Sequence, residues 1–84
     1  MRYLHIGQNL SLKISDVIAL FDTDNATVSA LTRRALAEME SDGRVVPCDG
    51  IPRSMILAWD RGEERLYLSV LSAGNIARRI EQNL

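Results

Sequence analysis

The sequence predicts an α+β domain, with a mostly antiparallel sheet and two helices packed on it. Three observations carry this. A continuous apolar run, Val17-Ile18-Ala19-Leu20-Phe21, is cut off by Asp22–Asn25. A short run of that kind fits a strand covered on both faces, and although periodicity alone does not separate it from a buried helix segment, five residues are few for a helix. An amphipathic helix follows at once. Beyond it, two strand-like runs joined through a glycine precede a second amphipathic stripe.

At 84 residues the chain makes one domain, residues 1–84. A chain of this size buries roughly 60–65% of its unfolded surface, so its core is modest and it gains from a partner. A hydrophobic fraction of 46% with 25% charged residues is the composition of a soluble globular domain. Ten Lys/Arg against eleven Asp/Glu give a net charge of −1, so global charge offers nucleic-acid binding no support. One cysteine, Cys48, excludes an internal disulfide and suits a reduced, cytoplasmic chain. The opening MRYLHIG lacks the charged segment and long apolar run of a signal peptide. No apolar run approaches the roughly 18 residues of a membrane span.

In order, Arg2–Ile6 alternates as a first strand ended by Gly7 and Asn9. Leu10, Leu12 and Ile14 alternate with polar residues, as a one-sided strand or extended loop would. Residues Asp16–Phe21 are expected to form the central strand. The helix then covers about Ala26–Ser41, opening at Asp24 or Asn25, with Val28, Leu31, Ala35, Leu36 and Met39 on one stripe. Arg33, Arg34, Ala37 and Glu40 lie on its other side, and Arg34 and Glu38 are spaced for an ion pair. Gly43 is placed to cap the helix end. Arg44-Val45-Val46 restarts as a strand that Pro47 confines to an edge or ends early. Ser54–Trp59 and Arg65–Val70 form a hairpin across the five residues Asp60–Glu64. Ser72 caps a last helix whose stripe is Ala73, Ile76, Ala77, Ile80 and Leu84.

Little in the sequence supports catalysis. His5 is the only histidine and has no acid or thiol near it at metal-ligand spacing, so no metal is expected. Asp22-Thr23-Asp24-Asn25 opens like a calcium loop but lacks the central glycine and closing glutamate, so it reads as a turn and cap. A nucleophilic Ser or Cys would need a base, and no glycine-rich phosphate cradle is present. A non-enzymatic protein without cofactor is expected. What remains is arginine, nine of the ten cations, which suits bidentate pairing with phosphate or carboxylate. Arg33-Arg34, Arg53 and Arg78-Arg79 form a phosphate-binding face if the fold or an oligomer brings them together; otherwise they pair with the acids of a solvated surface. Trp59 and Tyr67 are expected in the core or at a subunit contact.

Several segments together resemble the small bacterial extracellular matrix regulatory protein family, particularly its B-type member. They are Tyr3-Leu4-His5-Ile6-Gly7, Asp16-Val17-Ile18-Ala19-Leu20-Phe21-Asp22, Ala26-Thr27-Val28-Ser29 through Thr32-Arg33, Gly43-Arg44-Val45-Val46, Pro52-Arg53-Ser54 and Tyr67-Leu68-Ser69. Each is short; their order and spacing run nearly end to end. The resemblance implies a fold similar to LytTR-type DNA-binding domains. It also implies assembly into homo-oligomeric rings, with DNA bound through arginines and biofilm-matrix genes regulated at transcription. The A-type pattern carries an arginine where this chain has Asp16, and a Lys-Arg pair where Ser29-Ala30 stand. It also has several arginines before the hairpin, of which Arg53 alone has a clear counterpart. Arg53 is therefore the first DNA-binding candidate, with Arg33 and Arg34 second. The expected partners are the chain itself and double-stranded DNA, with no membrane. The competing expectation is an oligomeric interaction or scaffold protein that binds no nucleic acid.

Overall fold

In the computed structural model, residues 2–7, 10–23 and 30–83 are described. The first strands, β1 (Tyr3–His5) and β2 (Ser11–Lys13), pair antiparallel as a small separate ribbon. A single 3₁₀ turn, Ile14–Asp16, leads into β3 (Val17–Asp22). Helix α1 (Ala30–Ser41) follows, then β4 (Val45–Val46), β5 (Ser54–Asp60), β6 (Glu63–Ser69) and helix α2 (Ala73–Gln82). The domain is α+β with two helices, as the patterning predicts.

The larger sheet has the order β3-β5-β6-β4. Neighbours are antiparallel except β4, which runs parallel to β6. Consequently β3 and β4 point the same way from the two edges, and α1 joins them across the β5–β6 hairpin. This is a split βαβ unit. The apolar run of β3 is therefore not central. It lies on an edge, and a bulge between Val17 and Ala19 turns Ile18 outward, 51% exposed. A run of apolar residues marks burial only on average, and here it marks an edge left uncovered by other strands.

The hairpin is tighter than its sequence suggests. Asp60 faces Glu63, and only Arg61 and Gly62 turn the chain, with φ of 54° and 81°. Two positive φ values in sequence are what a type I′ turn requires, and glycine takes the second without steric cost. The charged residues at 60, 63 and 64 thus belong to the strands. At the end of α1, Gly43 adopts φ 72°; Arg44 N–H donates to Met39 O at 2.9 Å and Gly43 N–H to Glu40 O at 3.1 Å. These two bonds make a Schellman cap at the predicted glycine. Ser72 caps α2 as expected, its hydroxyl accepting from Asn75 N–H at 3.1 Å. The expected cap and first turn of α1 fall outside the described residues, as do the side chains of Val28, Leu31 and Leu84 on the two stripes.

The two faces of the sheet are packed differently. On one, Ile56, Ala58 and Tyr67 meet Leu4, Ile6 and Leu12 of the ribbon and Ile76 of α2 in a closed core, with Val17, Leu20, Val46 and Ile80 around it. The alternation of β1 follows from this: Leu4 and Ile6 are buried while Tyr3 and His5 are exposed. On the other face α1 gives only partial cover, with Leu36 and Met39 half-buried and Ala35 exposed. Met55, on the strand side of that face, is buried at 7% exposure.

Two serines tie the ribbon and the segment after β6 to the sheet. Ser54 and Ser69 are cross-strand partners and both fully buried. The Ser69 hydroxyl donates to Ile6 O at 2.6 Å and accepts from Leu71 N–H at 3.0 Å. The Ser54 hydroxyl donates to Leu71 O at 2.8 Å. Removing the Ser69 hydroxyl would leave the Ile6 carbonyl and the Leu71 amide without these partners, so Ser69→Ala should cost about 1–3 kcal/mol in urea unfolding. Ser54→Ala deprives only one carbonyl and should cost less. Equal small losses, below about half a kcal/mol, would show that water replaces the network freely.

Candidate functional site

The described arginines divide into two sets. Arg2, Arg44, Arg65 and Arg79 are held by the fold. Arg2 donates to Asn83 O, and Arg79 reaches Asn75 Oδ1 at 2.8 Å and His5 O at 3.1 Å. Arg44 binds Asp42 at 3.0 Å, and Arg65 binds Glu63 at 2.8 Å. Arg79 is thus a tie between α2 and β1, and it drops out of the phosphate-binding set. The three DNA-binding candidates belong to the second set. Arg33, Arg34 and Arg53 are exposed and enter none of the ion pairs among the described residues. The pair expected between Arg34 and Glu38 does not form; both side chains are solvated on the outer side of α1, where each gains more from water than from the other.

The topology decides which of these share a side of the molecule. Asp22, Ser54 and Ser69 lie abreast, so β3 ends, β5 begins and β6 ends at one end of the sheet. Arg53 sits there, its backbone N–H donating to Ser69 O at 2.8 Å and its carbonyl accepting from Thr23 N–H at 3.3 Å. Helix α1 returns from that end to β4, whose start is at the opposite end beside Glu64. Arg33 and Arg34, four residues or fewer from the first residue of α1, therefore lie towards the Arg53 end. Asp16 does not. It precedes β3, and the strand's rise puts it roughly 20 Å from the Arg53 end.

At that opposite end a groove of about 310 Å³ with mixed polar and apolar walls runs between the ribbon and the hairpin, lined among others by Tyr3, Lys13, Asp16, Trp59, Asp60 and Tyr67. Tyr67 is buried and Trp59 is 49% exposed, so the two aromatics serve differently: one in the core, one at the surface. Same-face alternation on β5 and β6 brings Asp60, Arg65 and Tyr67 together, a grouping hidden in the sequence by the wrong turn length. Arg65 Nε stands 3.4 Å from Asp60 Oδ2, an ion pair without hydrogen-bond geometry, which leaves that buried N–H unsatisfied. Its rim carries both signs, Asp16 and Asp60 against Lys13 and the Asp60-paired Arg65, so it holds no excess of positive charge to gather phosphate.

Beneath α1 the loosely covered face forms an apolar cleft of about 240 Å³. Phe21, Met55, Leu57 and Leu66 supply the sheet side, and Leu36 and Met39 the helix side. Sequence periodicity identified the helix residues. The strand residues were legible as strand but not as one wall of a cleft, because that depends on how closely α1 settles. Among the described residues no three His, Cys, Asp or Glu cluster as metal ligands. No described helix is long and apolar enough to cross a membrane.

No protein-family model matches the chain, and no curated protein matches it.

Tyr67 offers a pH test of the hairpin. Burial pushes its phenol above the ordinary 10.0, and the Asp60 carboxylate, as charge and as acceptor of the hydroxyl, raises it further against Arg65 and Arg61. The fold thus favours the neutral phenol. Its stabilisation is complete below the unfolded value of 10.0 and is lost as pH rises through the higher folded value. The urea midpoint should fall above pH 10.0, and Tyr67→Phe should flatten that fall. Identical alkaline profiles for both proteins would show that Tyr67 ionises as freely folded as unfolded.

Proposed function

We propose that the chain is a non-enzymatic, self-associating regulatory protein that binds duplex DNA and acts on transcription of extracellular-matrix genes. The observation that carries the DNA part is the division of the arginines. Arg33, Arg34 and Arg53 remain solvated and outside the described ion pairs, and they lie towards the same end of the sheet. An arginine already bound to a carboxylate must break that bond to reach a phosphate; a solvated one need not. Each subunit has few such groups, so binding gains strength from repetition in an oligomer. The resemblance to the B-type matrix regulators supplies the gene class. The second reading, a scaffold without nucleic acid, is favoured by the apolar cleft under α1 and by the net charge of −1.

Duplex titration separates the two. Affinity should fall between about 50 and about 200 mM salt, with a log–log slope near −0.9 for each phosphate neutralised. Arg53→Ala, and Arg33→Ala combined with Arg34→Ala, should each lower both affinity and slope. Arg61→Ala, exposed in the turn at the opposite end, should change neither. Absence of binding at about 50 mM salt overturns the DNA reading, and equal effects of Arg53→Ala and Arg61→Ala overturn the assignment of the end.

A further inference from the structure

We propose that β3 is the self-association edge: it pairs antiparallel with β3 of a second copy about a two-fold axis. Two four-stranded sheets then become one of eight strands. This deepens the self-association in the proposed function by naming its surface.

The two edges of the sheet are built differently. β4 has two residues and is followed directly by Pro47, which cannot donate to a further ladder. β3 has six residues, and the run 17–21 contains no charge, proline or glycine. Among the described residues, the ladder partners of β3 all lie on β5, and along the run 17–21 no backbone bond reaches a strand on the outer side. An edge whose run 17–21 carries no charge, proline or glycine is a template for another strand, and soluble proteins normally blunt it. Only the bulge at Ile18 interrupts it, and that bulge presents an apolar side chain rather than a lysine.

The strand is also complementary to itself. Leu20 faces Ile56 and Phe21 faces Met55, so Ala19 and Phe21 share the cleft face of the sheet. Centring the two-fold on Leu20 sets Phe21 of each copy opposite Ala19 of the other, a large ring over a methyl group, and Asp22 opposite Ile18, so no like charges are opposed within β3. The register is isologous, so one patch supplies both halves. That self-match favours a second copy over an unrelated strand. Phe21 lines the cleft beneath α1, so the contact can extend from the edge into that apolar wall.

The test uses light scattering and hydrogen exchange on the full chain. Wild type at micromolar concentration should give an even multiple of 9.4 kDa. Ile18→Lys, which places a charge on the edge at an exposed position, should lower that mass at least twofold with unchanged circular dichroism. Ile51→Lys, at a still more exposed position in the loop before β5, should leave it unchanged. In wild type, β3 amides pointing away from β5 should exchange slowly when concentrated and fast on dilution to monomer. An oligomer indifferent to Ile18→Lys, with fast outward amides, overturns the β3 edge while self-association stands. A strictly monomeric wild type overturns both. Slow exchange at β3 only when a different protein is added also overturns the proposal, by assigning the edge to another partner.

Discussion

Two buried serine hydroxyls hold the chain's ends to its central hairpin. Ser54 and Ser69 sit abreast in the β5–β6 ladder, and neither hydroxyl is spent within it. One reaches the backbone of the ribbon at Ile6, and both reach Leu71, between β6 and α2. A buried hydroxyl without a partner is costly, so these two can be buried only if the ribbon and the α2 connection stand where they do. Small side chains also let the backbones close in at that point. The closed core of Leu4, Ile6, Leu12, Ile56 and Ile76 then forms on the face the serines have defined.

That constraint acts on one face alone. Ser69 ties the ribbon to the sheet, and Arg79 bonding across to His5 and Arg2 bonding to Asn83 tie the ribbon to α2. Helix α1 has a capped end at Gly43 and half-buried contacts through Leu36 and Met39, and the space beneath it is a cleft. Packing so unequal places the stability in one layer and leaves the other available for contact. It also explains why an apolar strand such as β3 is tolerated at an edge: its Leu20 side joins the closed core, while its Phe21 side faces the cleft.

What the sequence made legible follows the same division. Elements with local signals were readable: the Ser72 cap, the Gly43 stop, the edge position of Val45–Val46 before Pro47, and the alternation of Leu4 and Ile6. The α+β class came from these. Misplaced were the features set by non-local pairing. The run 17–21 reads as central because its residues are apolar, yet strand order is decided by where α1 crosses, which no short window contains. The turn at Arg61-Gly62 was hidden by charged residues that look like loop but lie in the ladder. Among the arginines, sequence could not separate Arg79 from Arg78, because the partner of Arg79 is a backbone carbonyl 74 positions away.

Edge pairing and arginine placement bear on each other through symmetry. A two-fold centred on Leu20 runs the two copies of β3 in opposite directions, so the Arg53 ends point away from one another. A pair of subunits thus presents two separate arginine ends rather than one basic face, and a ring with a continuous basic rim needs a second, different contact. The same symmetry brings the start of β3 in one copy alongside the end of β3 in the other. Asp16, roughly 20 Å from the Arg53 end within a subunit, then comes near that end of its neighbour. Its carboxylate would weaken phosphate binding across the interface rather than within the chain. Under the two proposals together, a single acidic residue just before the strand would tune DNA affinity only in the assembled protein, which ties the proposed regulation to the state of association.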